Sequence, residues 1–567
     1  MEIIKHSASL PWCYYDKYSQ RILIRITTDI CVNTITIIYG DPFDFVKNSN
    51  GEHCWCSNEA VLNKKYITED FVLWQVELEP PKWRRMKYIF RIEIQEQNEL
   101  KSYYFSENGL VQFSKNEINE PYDYFFLPFI HGIDSPCVPT WAANTIWYQI
   151  FPERFISGDN SISPPDCCDW ENDQPTFKNF FGGDLIGIRN KLDYLKNLGI
   201  TGLYLTPVFT SPSNHKYDTS DYMNVDPHFG GKKALKALVE EAHKRGIRIM
   251  LDAVFNHVGA KHSFWQDVLI NQEDSPYRNF FHIHNFPVSE RYLDHKAMNF
   301  DTFSFHVRMP KWNTENKAVR DYLIGAACYW IKECDIDAWR LDVANEVSVD
   351  FWHAFASAVR QIKDNFYIVG EIWHDATPWI NANCFDSVMN YPLGFAIRDY
   401  FLKERISISE FNHRLFHSIS RYSKMHTEGA FNLLDSHDTP RILTMANGNK
   451  QAVRNALTIL FMLPGSPSIY YGTEIGMEGG QDPDCRRPMI WNEEKQDKDL
   501  YKYIQFIIDF RKQNINFINE CSIEFNITEE GNGKWIFRYE DKYIILEYIN
   551  KIIEMDTNLI KIETNGI

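Results

Sequence analysis

Basic residues are outnumbered in this chain of 567 residues, which has 59 Lys and Arg against 76 Asp and Glu and a formal net charge of −17. A charge of this sign repels the phosphates of nucleic acids and the anionic surface of membranes. We therefore expect neither nucleic acid nor a membrane among the partners of this protein.

Long apolar runs and the features of a secretion signal are also missing. No stretch approaches the roughly 18 uninterrupted apolar residues that a membrane-spanning helix needs. The first residues show no basic segment followed by an apolar run and a small-residue cleavage site. We expect a cytoplasmic protein.

Cysteines with metal-binding spacing are absent as well. There are 12 Cys, but none form a Cys-x-x-Cys pair, and the close pairs Cys54-Trp55-Cys56 and Cys167-Cys168 are isolated. This pattern favours free thiols in a reducing compartment over a disulfide framework or a zinc site.

The composition is that of a folded globular protein, with 44% hydrophobic and 24% charged residues. A chain of this length is expected to form more than one domain. Residues 1–135 contain short runs of alternating polarity and no convincing helix, which predicts an N-terminal β-sandwich. The clearest predicted strands are 22–26, 34–39, 71–78 and 88–94.

From Thr145 onward, apolar strands alternate with amphipathic helices. This alternation is typical of βαβ units, and eight repeats predict an α/β protein whose residues 136–515 form a (β/α)8 TIM barrel. The predicted barrel strands are 146–151, 202–206, 247–255, 338–343, 366–372, 387–391, 431–435 and 468–471.

Two further segments do not belong to a simple barrel. The connection after the third predicted strand, about residues 258–316, is too long for a βα loop and predicts a functional insertion domain. Residues 516–567 again show short alternating runs, which predict a small C-terminal β-domain.

Ionisable side chains occur at the ends of four predicted barrel strands. They are Asp252 and His257, Arg340 and Asp342, Glu371, and His437 and Asp438. Active sites of such barrels lie at the carboxyl ends of the strands. Cleavage of a glycosidic bond needs an acid for the leaving oxygen and a second carboxylate at the anomeric carbon. Any one of these residues alone could be a helix cap, but their convergence predicts a glycosidase site.

Four segments in chain order resemble the four signature regions of the α-amylase family, glycoside hydrolase family 13. They are residues 252–257, 337–346, 370–374 and 433–438. Met309-Pro310-Lys311-Trp312-Asn313 resembles the Met-Pro-Lys-Leu-Asn signature of the neopullulanase, cyclomaltodextrinase and maltogenic amylase group, with Trp312 where Leu is usual.

The resemblance implies roles for individual residues. Asp342 matches the nucleophile, Glu371 the general acid and base, and Asp438 a third carboxylate that binds sugar hydroxyls. Arg340 lies two residues before Asp342, on the same strand face, where it can keep that carboxylate ionised. Asp252 matches a position that more often supports the site indirectly, through hydrogen bonds to the residues that contact the substrate.

Further residues match sugar-binding positions of the family. His257 and His437 match a pair that hydrogen-bonds the sugar at the cleavage point, and Tyr217 matches the ring on which that sugar stacks. Asp482 and Arg486 match a pair that holds the next sugar. The group resemblance adds Glu346, Trp373 and His374 as candidate substrate-binding residues.

Many members of the family hold calcium in a loop after the first barrel strand. This chain keeps Asp159, Gly182 and Asp184 but has Ile162 and Ser163 where Asn and Asp are usual. Calcium takes about six to eight oxygen ligands, several of them charged. We expect that no cofactor is required and that any calcium binding is weak.

The resemblance implies retaining, endo-type hydrolysis of α-1,4-glucosidic bonds in cyclodextrins, pullulan and short maltooligosaccharides, with possible transglycosylation. The alternatives are a maltogenic transglycosylase, an α-1,6-glucosidase, or a catalytically inactive carbohydrate-binding protein. Members of the group typically carry an N-terminal carbohydrate-binding module, which residues 1–135 resemble, and they commonly pair through this domain. The resemblance therefore implies α-glucan oligosaccharides and a second copy of the chain as partners.

Overall fold

The computed structural model describes residues 3–51, 53–96, 99–111, 123–136, 138–291, 297–528 and 532–559. The chain forms two compact units. The first, called the sandwich unit, comprises Met1–Cys137, Ser407–Thr427 and Asn516–Ile567, and the second, called the barrel unit, comprises Val138–Ile406 and Glu428–Ile515. Among the helices of the described ranges, none is long and apolar enough to span a bilayer.

The N-terminal segment of the sandwich unit consists of strands, as its alternating polarity predicts. These strands are β1 (Ile4–Lys5), β2 (Cys13–Asp16), β3 (Arg21–Asp29), β4 (Val32–Gly40), β5 (Phe45–Lys47), β6 (His53–Trp55), β7 (Asn58–Val61), β8 (Asn63–Ile67), β9 (Phe71–Leu78), β10 (Met86–Glu96), β11 (Glu99–Ser106), β12 (Gly109–Val111) and β13 (Phe125–Leu127). β3 pairs with β9 in one sheet and β4 with β10 in the other. Apolar side chains of both sheets, including Ile24, Ile37 and Phe90, are fully buried in one core.

The barrel unit contains parallel strands connected mostly through helices. The strands of this unit are β14 (Trp147–Ile150), β15 (Gly202–Leu205), β16 (Phe209–Thr210), β17 (Asp221–Val225), β18 (Arg248–Ala253), β19 (Ala338–Leu341), β20 (Tyr367–Gly370), β21 (Ser387–Val388), β22 (Phe431–Leu433) and β23 (Ser466–Tyr470). Eight of them pair in the order β21-β20-β19-β18-β15-β14-β23-β22. A parallel bridge between Met389 and Phe431 brings the two ends of this sheet together. The nearly closed barrel confirms the predicted fold, and each of its strands overlaps its predicted range.

Helices follow the barrel strands where amphipathic periodicity predicts them. The helices of the chain are α1 (Thr140–Ala143), α2 (Pro152–Phe155), α3 (Leu185–Asn190), α4 (Leu192–Leu198), α5 (Gly231–Lys244), α6 (Ser263–Asn271), α7 (Lys317–Cys334), α8 (Val349–Ile362), α9 (Thr377–Asn381), α10 (Tyr391–Ile397), α11 (Ile408–Ser420), α12 (Lys424–Glu428), α13 (Ile442–Met445), α14 (Lys450–Met462), α15 (Lys498–Gln513) and α16 (Ile515–Glu520). Ser348 caps the N-terminus of α8, because its side chain accepts a hydrogen bond from the backbone N–H of Phe351. This cap satisfies one of the free N–H groups at the start of the helix.

The C-terminal strands differ from the predicted separate domain. They are β24 (Ser522–Ile527), β25 (Gly533–Tyr539), β26 (Lys542–Ile549) and β27 (Ile552–Thr557). β24 pairs in parallel with β8, with Ile523 opposite Tyr66, so these strands extend one sheet of the sandwich. The pairing gives hydrogen-bond partners to backbone N–H and C=O groups at the edge of β24. The alternating polarity of each segment does not show which strands pair with one another. Residues 529–531 and 560–567 of the predicted domain lie outside the described residues.

The predicted insertion, about residues 258–316, belongs to the barrel unit. An antiparallel bridge joins Lys311 of the Met-Pro-Lys-Trp-Asn segment to His257, just beyond the third barrel strand. Trp312 is 1% exposed, and its ring stacks on Phe281 with centroids 4.8 Å apart. The large side chain at this position therefore fills the core of the insertion. Residues 292–296 lie outside the described residues.

Candidate active site

A cavity of about 740 Å³ lies where the barrel strands end. Residues from the ends of β19, β20 and β22 contribute to its wall, as expected for an active site of this fold. Among the residues that line it are eight candidates from the sequence: Tyr217, His257, Asp342, Glu371, Trp373, Asp438, Asp482 and Arg486.

Arg340 is the central cation of this site, with 1% of its surface exposed. Its Nη1 donates hydrogen bonds to both carboxylate oxygens of Asp252, at 2.9 and 3.0 Å, and to Oδ1 of Asp342 at 2.6 Å. Its Nη2 lies 2.8 Å from Oε2 of Glu371. One guanidinium thus contacts three carboxylates, and its planar geometry fixes their relative positions.

Asp342 has one oxygen held and one oxygen open. Oδ1 accepts the bond from Arg340, whereas Oδ2 has no hydrogen-bond partner among the described residues. The backbone N–H of Asp342 donates to the carbonyl of Ala253 at 3.1 Å, which ties the residue to the neighbouring strand. Burial raises the pKa of Asp342 well above its usual range, and the positive charge of Arg340 acts in the opposite direction. The open oxygen is suited to attack an electrophilic carbon.

The charges around Arg340 do not balance if all three carboxylates are ionised. One cation faces Asp252, Asp342 and Glu371, and like charges that share a buried site repel one another. Burial raises the pKa of Asp252 to about 6. The cluster therefore favours uptake of a proton.

Glu371 is held by three donors. Its Oε2 accepts from the backbone N–H of Val343 at 3.0 Å and contacts Arg340, and its Oε1 accepts from Nε1 of Trp373 at 3.0 Å. Val343 adopts a left-handed conformation with φ 46°, which is uncommon for a β-branched residue. This strained backbone lets the N–H that follows the strand point at the carboxylate of Glu371.

Tyr217 links two parts of the site through a chain of hydrogen bonds. Its hydroxyl donates to Oδ2 of Asp252 at 2.9 Å and lies 2.7 Å from Nε2 of His437. Nδ1 of His437 accepts from the side-chain amide of Gln149 at 2.6 Å, so Nε2 carries the hydrogen and donates. Burial lowers the pKa of His437 well below its usual value, which keeps the imidazole neutral.

Asp438 is positioned by two side chains that the sequence also predicts. Its Oδ2 lies 3.0 Å from Nε2 of His437, and its Oδ1 lies 3.3 Å from Nη2 of Arg486. The same nitrogen of Arg486 lies 3.0 Å from Oδ2 of Asp482, whose Oδ1 has no partner among the described residues. The acceptors of Asp438 and Asp482 therefore lie on one side of the cavity, where sugar hydroxyls could donate to them.

Known proteins match the chain over nearly its whole length. The family model for the α-amylase catalytic domain matches residues 149–520, and the model for the N-terminal Ig-like domain of α-amylases matches residues 1–131. The chain belongs to the α-amylase family.

Similar proteins indicate where in the family the chain lies. An intracellular maltogenic amylase of Bacillus subtilis is 42% identical over 538 residues, which are 95% of this chain and 88% of that protein. A cyclomaltodextrinase of Geobacillus thermopakistaniensis is 45% identical over 514 residues, 90% of this chain and 84% of that protein. A solved cyclomaltodextrinase structure gives a TM-score of 0.86 at 38% identity and covers 96% of this chain and 91% of that one. The chain is a glycoside hydrolase of family 13, in the group of cyclomaltodextrinases, maltogenic amylases and neopullulanases.

The insertion of this family member contributes wall residues that the motifs alone do not identify. Phe303, His306 and Met309 line the cavity, and Phe303 stacks on His257 with ring centroids 4.9 Å apart. Burial lowers the pKa of His257 to about 3, so its ring is neutral. Phe177, from the loop after β14, also lines the cavity. In the sequence, only the length and the aromatic content of these loops could have indicated that they contribute to the cavity wall.

The three candidates from the group resemblance occupy different surroundings. Trp373 lines the cavity and stacks on Tyr391 at 4.1 Å between centroids. Glu346 is not among the residues that line the cavity and forms an ion pair with Lys311 at 2.9 Å. His374 is exposed, and its Nδ1 lies 3.0 Å from the backbone carbonyl of Asp375.

The side chains of the family's calcium loop are engaged within the protein. Oδ2 of Asp184 accepts from the backbone N–H groups of Gly158 and Asp159, and its Oδ1 caps α3 by accepting from Gly187. Oδ1 of Asp159 accepts from the hydroxyl and the backbone N–H of Ser161. Gly182 has φ 80° and brings no side-chain oxygen. N–H and O–H donors therefore occupy both oxygens of Asp184 and one oxygen of Asp159. Within the described ranges, no three acidic, His or Cys side chains form a metal-binding cluster.

Proposed function

We propose that the protein is a retaining, endo-acting hydrolase of α-1,4-glucosidic bonds that accepts cyclodextrins, pullulan and short maltooligosaccharides. The observation that carries the proposal is the state of Asp342, whose Oδ1 is bound by Arg340 while Oδ2 has no partner among the described residues. A covalent mechanism needs such a nucleophile beside a second carboxyl group, and Glu371 shares the same guanidinium.

In the first step, Oδ2 of Asp342 attacks the anomeric carbon while Glu371 donates its proton to the leaving glycosidic oxygen. Oε2 of Glu371 already accepts from two donors, so Oε1 is the oxygen that carries this proton. The product is a β-glucosyl ester on Asp342 and a shortened glucan with a new hydroxyl group.

In the second step, the carboxylate of Glu371 takes a proton from water, and the resulting hydroxide oxygen attacks the anomeric carbon. The ester bond breaks, Asp342 returns to the carboxylate form, and the released sugar has the α configuration. Asp438, His257 and His437 hold sugar hydroxyls during both steps, and the ring of Tyr217 is the surface on which the sugar stacks. Water and a second sugar compete for the same ester, so transfer products depend on how well the acceptor side binds sugar.

Product analysis on cyclodextrin, pullulan and linear maltooligosaccharides tests this proposal. We expect ring opening of cyclodextrin, faster hydrolysis of cyclodextrin than of starch, and the α-anomer in proton NMR of the first product. Initial release of the β-anomer would refute a retaining mechanism. Oligosaccharides longer than the substrate as main products would indicate a transglycosylase, and a preference for isomaltose an α-1,6-glucosidase. Absence of all cleavage would indicate a carbohydrate-binding protein.

We also propose that the protein forms a homodimer through the sandwich unit. The unit matches the family's N-terminal domain over residues 1–131, and it exposes large apolar side chains, including 73% of Phe43 and 61% of Trp83. Exposed apolar surface of this kind is common at protein contacts. Light scattering should give twice the chain mass of 66.9 kDa. A monomer at micromolar concentration would refute the dimer. The full chain is needed, because β8 pairs with β24 and removal of the N-terminal strands would break their shared sheet.

An intracellular location is the third part of the proposal. Ten cysteines of the described residues, all of those described except Cys521, are free thiols, which suits a reducing compartment. Cell fractionation of the natural source should recover the enzyme with the cytoplasmic fraction, and recovery mainly from the culture medium would contradict this.

A further inference from the structure

Phe177 is an exposed aromatic residue at the cavity. Its side chain is 61% exposed although it lines the same cavity as Asp342 and Glu371. A large apolar side chain costs free energy when it is held in water. Because Phe177 lines the cavity and is exposed, a ligand in the cavity could lie against the face of its ring.

The turn that carries Phe177 is held firmly in place. The backbone N–H of Thr176 donates to Oδ1 of Asn179 at 2.7 Å, and the backbone N–H of Asn179 donates to the hydroxyl of Thr176 at 3.1 Å. Asn214, 4% exposed, donates through Nδ2 to the carbonyls of Asn179 and Thr176 at 2.8 and 3.3 Å. The buried Arg154 donates to the Asn179 carbonyl at 2.9 Å. Phe177 is therefore presented by a pre-organised backbone.

Arg154 connects this turn to one particular part of the active site. Its Nη1 donates to the backbone carbonyl of Arg486 at 3.3 Å, while its Nη2 binds the Asn179 carbonyl. Arg486 in turn pairs with Asp482 and Asp438. A single buried guanidinium thus binds both the Phe177 turn and the segment that carries Asp482 and Arg486, the pair that the family resemblance implies for the next sugar.

We propose that Phe177 is a specificity-determining residue whose ring forms a stacking platform for a glucosyl unit at the donor end of the substrate, near the sugar held by Asp482 and Arg486. This inference rests on the proposed function. The C–H groups on one face of a glucose ring form a flat apolar patch. This patch can stack on the face of an aromatic ring, and the contact buries apolar surface of both rings. Because the turn is already ordered, little conformational entropy is lost when the sugar binds.

A series of p-nitrophenyl α-glycosides with one, two and three glucose units isolates the donor side, because the leaving group is the same in each. Phe177→Ala should lower kcat/KM roughly tenfold for the longest glycoside, where a sugar reaches the platform, and leave the monoglucoside within about twofold of wild type. Phe177→Tyr keeps the aromatic face and should restore the preference for the longer glycosides. Ile270→Ala removes another side chain that is 76% exposed but does not line the cavity, and it should leave the whole series unchanged.

Three outcomes would overturn the inference while the enzyme remains a glucosidase: no effect of Phe177→Ala on any glycoside, an equal loss on all of them, or a change of oligomeric state in light scattering. The last result would make Phe177 an interface residue. If the wild-type protein releases p-nitrophenol from none of the glycosides and also cleaves no cyclodextrin, the proposed function fails instead.

Discussion

Replacing Arg340 with Met removes the positive charge that contacts Asp252, Asp342 and Glu371 and keeps much of the side-chain volume. Removing one partner of a buried ion pair typically costs about 3–5 kcal/mol of unfolding free energy, since the remaining charge is buried without compensation. We expect the melting temperature to fall by roughly 5 °C at neutral pH. The fall should be smaller in acid, where the carboxylates take up protons.

The effect on activity should depend on pH in a defined direction. Arg340 lowers the pKa of Asp342 against the raising effect of burial, so its removal raises that pKa further. The rising acid limb of kcat/KM, which reports ionisation of the nucleophile in the free enzyme, should move to higher pH. At about pH 6 we expect a loss of roughly 10²- to 10³-fold, comparable to the loss of one preorganised electrostatic group.

The assay is kcat/KM for a p-nitrophenyl α-maltoside from about pH 4 to about pH 9, with thermal melts of the same samples. Arg340→Lys is the matched control, because it keeps the charge but cannot reach three carboxylates with a planar fork. Its acid limb should lie between those of the wild type and Arg340→Met. An unchanged acid limb in Arg340→Met would refute the conclusion that Arg340 keeps Asp342 ionised.

Three further outcomes are expected. Asp342→Asn and Glu371→Gln should each lower kcat by several orders of magnitude with the fold retained, because each removes a role in bond cleavage; more than about a tenth of wild-type activity in either would contradict the assignment. A calcium chelator should change the melting temperature little, since a ligand with a large Kd adds little stability; a large loss that calcium specifically reverses would contradict this. Tyr217→Phe should lower kcat/KM roughly tenfold, because the hydroxyl that binds Asp252 is lost while the ring stays. Activity within about twofold of wild type would show that this hydroxyl is dispensable.

The barrel could be predicted from the sequence because each of its strands and helices has a pattern of apolar residues within its own segment. Each strand is a short apolar run and each helix has one apolar face, so periodicity alone placed all eight barrel strands within a few residues. The strand ends indicate that the carboxylates of Asp342, Glu371 and Asp438 converge, because parallel strands deliver their carboxyl ends to one rim. The family resemblance implies the role of each.

Contacts between distant segments had no such local signal. The C-terminal strands alternate in polarity like any exposed sheet, and it is the parallel pairing of β24 with β8 that shows that they continue the N-terminal sheet. Phe177 and Phe303 occur in loops without periodicity, so their presence in the cavity wall depends on how those loops fold back over the barrel.

The sequence by itself determined which chemical groups are available and on which strand each one lies, since these follow from residue identity and from the two-residue repeat of a strand. Only the tertiary structure decided how those groups are charged and directed. The contact of Arg340 with three carboxylates and the open oxygen of Asp342 require β18, β19 and β20 to lie side by side in register. The left-handed backbone at Val343 requires the surrounding fold to hold a strained residue beside Glu371. Apart from the contact between Arg340 and Asp342, which lie two residues apart on one strand, these contacts join segments more than 25 residues apart, which no local pattern encodes.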